Sequence, residues 1–166
     1  MTMSIKPLRT GFASEVTGLD LRNTQEEEIR AALYQAFAER SVLVIRNQKL
    51  EPADFLDCSR IFGNPMMQTL EQFRIPDCPL VGFISSRDKG SNGKVITRGS
   101  NWHTDHSHTI QPPKATMLHA ITLPNHGGDT QFCSMHLMYD ALSEKLKKQI
   151  DRINCLHIWM SRRCPR

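Results

Sequence analysis

The sequence lacks the features that would indicate a membrane or secreted protein. No apolar run approaches the length of about 20 residues that a membrane-spanning helix needs. Residues 1–7 contain no apolar stretch of the kind that signal peptides carry. We therefore expect a cytoplasmic protein without a membrane partner.

Paired cysteine motifs are also missing. The five cysteines are odd in number and widely spaced, and no C-x-x-C pair indicates zinc or redox chemistry. We expect them to be free, reduced and mostly buried. A chain of 166 residues, 39% of them hydrophobic, is long enough for one core and too short for two comfortable domains. Residues 1–166 should therefore form a single domain or part of one.

An excess of positive charge is absent from most of the chain, although the net charge is +4. Residues 1–142 contain 14 Lys and Arg against 15 Asp and Glu, whereas residues 143–166 contain seven against two. Four of the seven basic residues of the second stretch fall opposite apolar ones on a helical pattern, which favours a solvated helix face. The basic set is Lys145, Lys147, Lys148 and Arg152, opposite Leu146, Ile150 and Ile153. No aromatic residue interleaves with the charge before Trp159, so we expect no nucleic-acid partner.

Local patterns predict a mixture of strands and helices. Thr24 and Glu27 form a capping-box pattern before a helix at residues 25–39, and Pro52 begins a second helix that Gly63 would end. Apolar runs predict strands at residues 42–45, 80–85, 115–121 and 155–159. Residues 86–100, rich in glycine and charge, read as a mobile loop.

One short motif points to metal chemistry. His103 and Asp105 are two residues apart, and on an extended segment side chains two apart point the same way. One imidazole and one carboxylate are two thirds of the 2-His-1-carboxylate set that holds Fe(II) and leaves positions open for an organic co-substrate and O2. By itself an H-x-D pair is weak, because a polar pair on a surface turn has the same appearance.

The context of the pair resembles a known family. Asn101-Trp102-His103-Thr104-Asp105 is followed by Pro112-Pro113, the apolar run 115–121 and Gly127-Gly128-Asp129-Thr130. Residues 11–21, 41–48, 62–63 and 139–143 match the same family in the same order. Residues 8–159 resemble the N-terminal part of the taurine dioxygenase and 2,4-dichlorophenoxyacetate dioxygenase (TauD/TfdA) family of Fe(II)- and 2-oxoglutarate-dependent dioxygenases.

The resemblance implies a fold and a reaction. The fold would be mainly β with flanking helices, a double-stranded β-helix (jelly roll, cupin-like) truncated after about its first half. His103 and Asp105 would bind Fe(II), and Thr130 would bind the far carboxylate of 2-oxoglutarate. Asn101 and Trp102 lie where the family lines its substrate pocket, although packing or turn chemistry is the slightly favoured interpretation for both. With O2, such an enzyme hydroxylates a small organic acid and gives succinate and CO2.

The sequence departs from the family because no residue matches its distal His or its carboxylate-binding Arg. His119 is a weaker alternative as third ligand, and a metal hydrolase using His103, Asp105 and His119 has little support. The chain is therefore either a dioxygenase whose catalytic parts lie partly outside it, or an inactive truncated remnant or binding module. We expect exposed strand edges, and hence self-association or completion by another chain.

Overall fold

A computed structural model describes residues 2–9, 11–90, 92–95, 99 and 101–158. The chain divides into two compact units. The first unit consists of Met1–Asp105 with Pro113–His119, and the second of His106–Pro112 with Ala120–Arg166. No helix among the described residues has both the length and the apolar character needed to cross a membrane.

The first unit is built on a three-stranded sheet. Strand β1 (Ser4–Pro7) pairs antiparallel with β2 (Ala13–Thr17), and β2 pairs parallel with β3 (Val42–Ile45), which confirms the predicted strand at 42–45. Parallel neighbours need a crossover connection, and helix α1 (Glu27–Arg40) provides it. The central strand carries Val16, which is fully buried.

Helix α1 forms where it was predicted, but it does not begin as predicted. Glu26 occupies the N-cap position without a side-chain hydrogen bond, and Thr24 Oγ1 donates instead to the carbonyl oxygen of Leu21 at 3.0 Å. The capping box at Thr24 is therefore wrong, because the Thr24 hydroxyl closes the 3-10 turn that precedes the helix. The helix ends at Ser41, which adopts the left-handed conformation with φ 62°.

Helix α2 (Pro52–Ser59) begins at the predicted proline. A capping box is present here, where Glu51 and Asp54 exchange side-chain to backbone hydrogen bonds. The helix ends four residues before Gly63, the predicted stop, and the chain continues in a turn in which Phe62 N–H donates to Ser59 O at 3.0 Å.

The core of the first unit lies between α1, α2 and the sheet. Its buried cluster consists of Val16, Leu21, Leu33, Cys58 and Ile61. Cys58 and Cys78, the two buried cysteines among the described residues, are free thiols in this unit. The other two described cysteines, Cys133 and Cys155, are free but exposed, so the prediction of mostly buried cysteines holds for only half of the described ones.

A two-stranded ladder completes the first unit. Strand β4 (Arg74–Ile75) pairs antiparallel with β5 (Cys78–Gly82). The strand predicted at residues 80–85 therefore starts two residues earlier and ends earlier, because the tight turn before Cys78 sets the register through the pair Ile75 and Cys78. Residues 86–100 are described only in part, and a bridge joins Lys89 to Val95 within them.

Two short helices lie among the described residues of the second unit. Helix α3 (Met135–Asp140) is capped by Ser134, and α4 (Glu144–Ile150) by Ser143. No described residue of this unit is buried. Residues 155–158 form no strand ladder with any described segment, contrary to prediction, since a strand requires a hydrogen-bonded neighbour; Trp159 lies outside the described residues.

Candidate metal centre

His103 is held by its own backbone neighbourhood. Its Nδ1 atom lies 2.7 Å from the carbonyl oxygen of Asn101. A carbonyl oxygen only accepts hydrogen bonds, so Nδ1 carries the proton that is donated in this contact. The neutral ring then has its lone pair on Nε2, the form in which imidazole binds a metal.

The carboxylate of Asp105 is divided between two partners. Its Oδ2 accepts a hydrogen bond of 2.7 Å from Thr116 Oγ1. Its Oδ1 lies 3.4 Å from His103 Nε2. The lone pair of the imidazole and one carboxylate oxygen therefore converge on one small region, as the period-two spacing predicted.

The segment that carries Thr116 is extended and anchored on one side. Ala115, Met117 and His119 are half-buried, whereas Thr116 and Leu118 are exposed, which is the alternation of a strand. The predicted strand at 115–121 is thus extended up to His119, but it pairs with no described strand. Its backbone hydrogen-bonding groups have no neighbouring described strand to form a ladder with.

The inward side chains of this segment contact the rest of the first unit. Met117 packs against the buried core cluster. The His119 ring stacks on Phe55 with centroids 6.0 Å apart, and its Nε2 lies 3.3 Å from Gln48 O. His119 therefore serves the packing of this segment and does not join His103 and Asp105.

The donor set fits a divalent cation bound by two protein ligands. Adjacent ligand atoms at about 2.1 Å from one ion lie about 3 Å apart in an octahedral site, close to the separation of Nε2 and Oδ1. Imidazole with carboxylate suits Fe(II) and its neighbours in the first transition row. Among the described residues, no group of three or more His, Cys, Asp or Glu side chains could hold a metal ion.

His103 and Asp105, which both belong to the first unit, are open to solvent. The side chains of His103 and Asp105 are 55% and 41% exposed. An exposed two-ligand site binds weakly, because water competes for the ion and screens its charge.

The remaining predicted site residues are less constrained. Asn101 contributes its carbonyl to His103, a contact that sequence reasoning did not identify, and its side chain is exposed. Trp102 is 67% exposed. Thr130 is exposed and belongs to the second unit, and its role in binding 2-oxoglutarate stays a prediction.

Sequence reasoning missed Thr116. The signal was the single hydroxyl residue of the run 115–121, eleven positions after Asp105. Side chains alternate along an extended segment, so the Thr116 hydroxyl faces away from the core whenever its neighbour Met117 faces toward it.

Comparison with known proteins identifies the family. Residues 4–164 match the family described as "Taurine catabolism dioxygenase TauD, TfdA family". The chain therefore belongs to this family, which confirms the resemblance seen in the sequence.

Individual relatives agree with this assignment. The chain is 29% identical over 177 residues to the alpha-ketoglutarate-dependent 2,4-dichlorophenoxyacetate dioxygenase of Cupriavidus pinatubonensis, covering 98% of this chain and 61% of that protein. The crystal structure of a taurine dioxygenase from Burkholderia xenovorans is similar with a TM-score of 0.75 at 27% identity, covering 90% of this chain and 51% of that one. The crystal structure of AAD-2 in complex with Mn(II) and N-oxalylglycine gives a TM-score of 0.65 at 25% identity, covering 91% and 54%.

These similarities confirm the structural class and the cofactors of the family, although they cover only part of each relative. The chain spans between half and about three fifths of the length of these three relatives. Its structure resembles that of TauD-type dioxygenases. The cofactor prediction is confirmed for the family, whose alpha-ketoglutarate-dependent dioxygenases use Fe(II), 2-oxoglutarate and O2, and one relative binds Mn(II).

Proposed function

We propose that this chain is part of an Fe(II)- and 2-oxoglutarate-dependent dioxygenase that hydroxylates a small organic acid. The observation that carries the proposal is the convergence of His103 Nε2 and Asp105 Oδ1 at 3.4 Å in a chain of the TauD/TfdA family. Two further contacts support the proposal, namely that of His103 Nδ1 with the Asn101 carbonyl and that of Asp105 Oδ2 with the Thr116 hydroxyl. Each leaves the other donor atom of its side chain free to face an ion.

The residues of the chain have separate tasks in this proposal. Bound Fe(II), with 2-oxoglutarate and O2, would supply the oxidation that gives succinate and CO2. His103 would donate its Nε2 lone pair, and Asp105 would donate one carboxylate oxygen and balance one positive charge. The carbonyl of Asn101 keeps the proton on Nδ1 and so keeps Nε2 available.

The other parts of the proposal come from the family. Thr130 would donate its hydroxyl to the far carboxylate of 2-oxoglutarate, and Asn101 and Trp102 would line the substrate pocket. The names of the relatives, a phenoxyacetate dioxygenase and a taurine dioxygenase, support a small organic acid as substrate. We also propose that the complete fold is a jelly roll and that the protein is cytoplasmic.

A second candidate is an inactive remnant or binding module that retains part of the metal site. It is favoured by one observation, which is that the described residues provide no third donor side chain near the pair. Completion of the fold by another chain, or self-association, would convert this candidate into the first.

Titration with Mn(II) in place of Fe(II) tests the metal assignment. We expect weak binding by the 166-residue chain, and loss of that binding in His103→Ala and in Asp105→Ala, since each removes a donor that water replaces poorly. His126→Ala, at an exposed turn position, is the matched control and should bind as the unchanged chain does. Binding that survives both ligand substitutions would refute the assignment.

Succinate formation tests whether this chain alone is sufficient for catalysis. We expect no useful rate of 2-oxoglutarate decarboxylation from the chain alone, because Thr130 is a single neutral donor and no residue of the chain matches the family's Arg, which can form two parallel hydrogen bonds with the far carboxylate. Iron-dependent succinate that disappears in His103→Ala would show instead that these residues suffice for catalysis.

A further inference from the structure

We propose that Thr116 is a positioning residue for the metal site, which reserves Oδ1 of Asp105 for the ion by holding Oδ2 in a hydrogen bond. This inference rests on the proposed function, since it requires that His103 and Asp105 bind the metal. The short Oγ1 to Oδ2 distance of 2.7 Å carries it, together with the approach of Oδ1 to His103 Nε2.

A free carboxylate has two equivalent oxygens. It can bind an ion through one oxygen or both, and rotation about its last side-chain bond exchanges them at little cost. The side chain of Asp105 is 41% exposed, so packing alone does not select one orientation. The Thr116 hydroxyl makes the two oxygens different, because only Oδ2 receives its proton.

The position of the hydroxyl is set by the core of the first unit. The residue after Thr116, Met117, packs against the buried cluster, and His119 stacks on Phe55. Lys114 adds a contact two residues before, where its Nζ donates to Tyr34 Oη at 2.9 Å. Thr116 is thus flanked on both sides by anchored residues, and its branched side chain has few rotamers.

This arrangement has a chemical consequence for the site. A carboxylate confined to one metal-ligating oxygen uses one coordination position, so more positions remain for a co-substrate that binds through two atoms. A hydrogen-bonded partner behind a metal ligand also fixes the direction of its lone pair, and loss of such a partner commonly weakens metal affinity by about 10-fold to 100-fold.

An ordinary surface threonine would behave differently. At an exposed strand position, which Thr116 occupies, exchange of Thr for Val normally affects little except the hydrogen bond of the lost hydroxyl. Thr17→Val is the matched control, because Thr17 is exposed at the end of β2 and remote in sequence from both metal ligands.

The test measures the Mn(II) dissociation constant of the 166-residue chain from the electron paramagnetic resonance signal of free Mn(II). We expect Thr116→Val to weaken binding by about 10-fold, in the range found for partners of metal ligands, while Thr116→Ser, which keeps the hydroxyl, stays within about twofold. Thr17→Val should leave the constant unchanged. Thermal melts of all three variants should coincide with that of the unchanged chain, which separates positioning from folding.

Several results would overturn the inference. Equal or tighter Mn(II) binding by Thr116→Val would show that Asp105 does not need the hydroxyl, and an equal loss in Thr116→Ser would show that the hydroxyl is not the cause. If His103→Ala binds as well as the unchanged chain, or if the unchanged chain shows no binding, the proposed metal site fails and this inference fails with it. Loss in His103→Ala without loss in Thr116→Val would refute the role of Thr116 alone.

Discussion

The same substitution, Leu to Ala, should have very different effects on stability in the two units of this chain. Leu33 of α1 is fully buried and belongs to the core cluster of the first unit. Leu156 of the second unit is 84% exposed. We predict that Leu33→Ala greatly destabilises the protein and that Leu156→Ala, its matched control, does not.

The size of the difference follows from burial. Truncation of a fully buried leucine removes its transfer free energy and leaves a cavity, at a cost of about 3 to 5 kcal/mol. The whole free energy of unfolding of a domain is about 5 to 15 kcal/mol, so Leu33→Ala should remove a large fraction of it. A mostly exposed leucine has little burial to lose, and its truncation should stay within about 0.5 kcal/mol.

Urea unfolding followed by circular dichroism measures both effects. The helical signal comes mainly from the first unit, whose α1 and α2 contribute 14 and 8 residues against 6 and 7 in α3 and α4. Each variant should be measured at two protein concentrations. Similar costs for the two variants would refute the burial argument. A large, concentration-dependent cost for Leu156→Ala would show that the exposed apolar side chains of the second unit are covered by other copies of the chain, as self-association predicts.

Two further predictions concern titrating groups. Burial raises the pKa of the Cys58 thiol to about 11, so at pH 8 only about one molecule in a thousand carries the reactive thiolate. Iodoacetamide should therefore label Cys58 far more slowly than the exposed Cys133 and Cys155, and equal labelling rates in the folded protein would contradict this. The carboxylate of Asp151 accepts a hydrogen bond from Tyr139 Oη at 2.6 Å and raises the pKa of that phenol, because the bond favours the protonated form and the negative charge opposes ionisation. Asp151→Asn should move the Tyr139 transition, followed by ultraviolet absorbance, to lower pH, and an unchanged or higher midpoint would count against the contact.

Sequence patterns predicted the elements whose causes are local. Helix α1 formed close to the predicted range 25–39, where Ile29, Leu33 and Phe37 recur every fourth residue, and Pro52 marked the start of α2, because periodicity and proline geometry act within a few residues. The capping pattern at Thr24 failed although it is local. Its hydroxyl had a competing acceptor in Leu21 O, and the sequence alone does not show which hydrogen bond forms.

Predictions that needed a distant partner were less successful. The segment 115–121 was predicted as a strand from its apolar composition, and its alternation is present, but no described strand pairs with it. Residues 155–158 fail in the same way. Apolar composition predicts burial, whereas a ladder requires hydrogen-bonding groups on a neighbouring strand, which a single segment does not contain.

The candidate site depends both on local sequence patterns and on contacts with residues distant in the sequence. The pairing of His103 with Asp105 could be predicted because two residues on extended backbone point the same way, and the Asn101 carbonyl is equally close in sequence. The orientation of Asp105 depends on Thr116, whose position depends in turn on the packing of Met117 in the core. A change in the core can therefore reach the carboxylate through one hydrogen bond. The H-x-D motif specifies which atoms meet, and the fold of the first unit determines the direction in which they face.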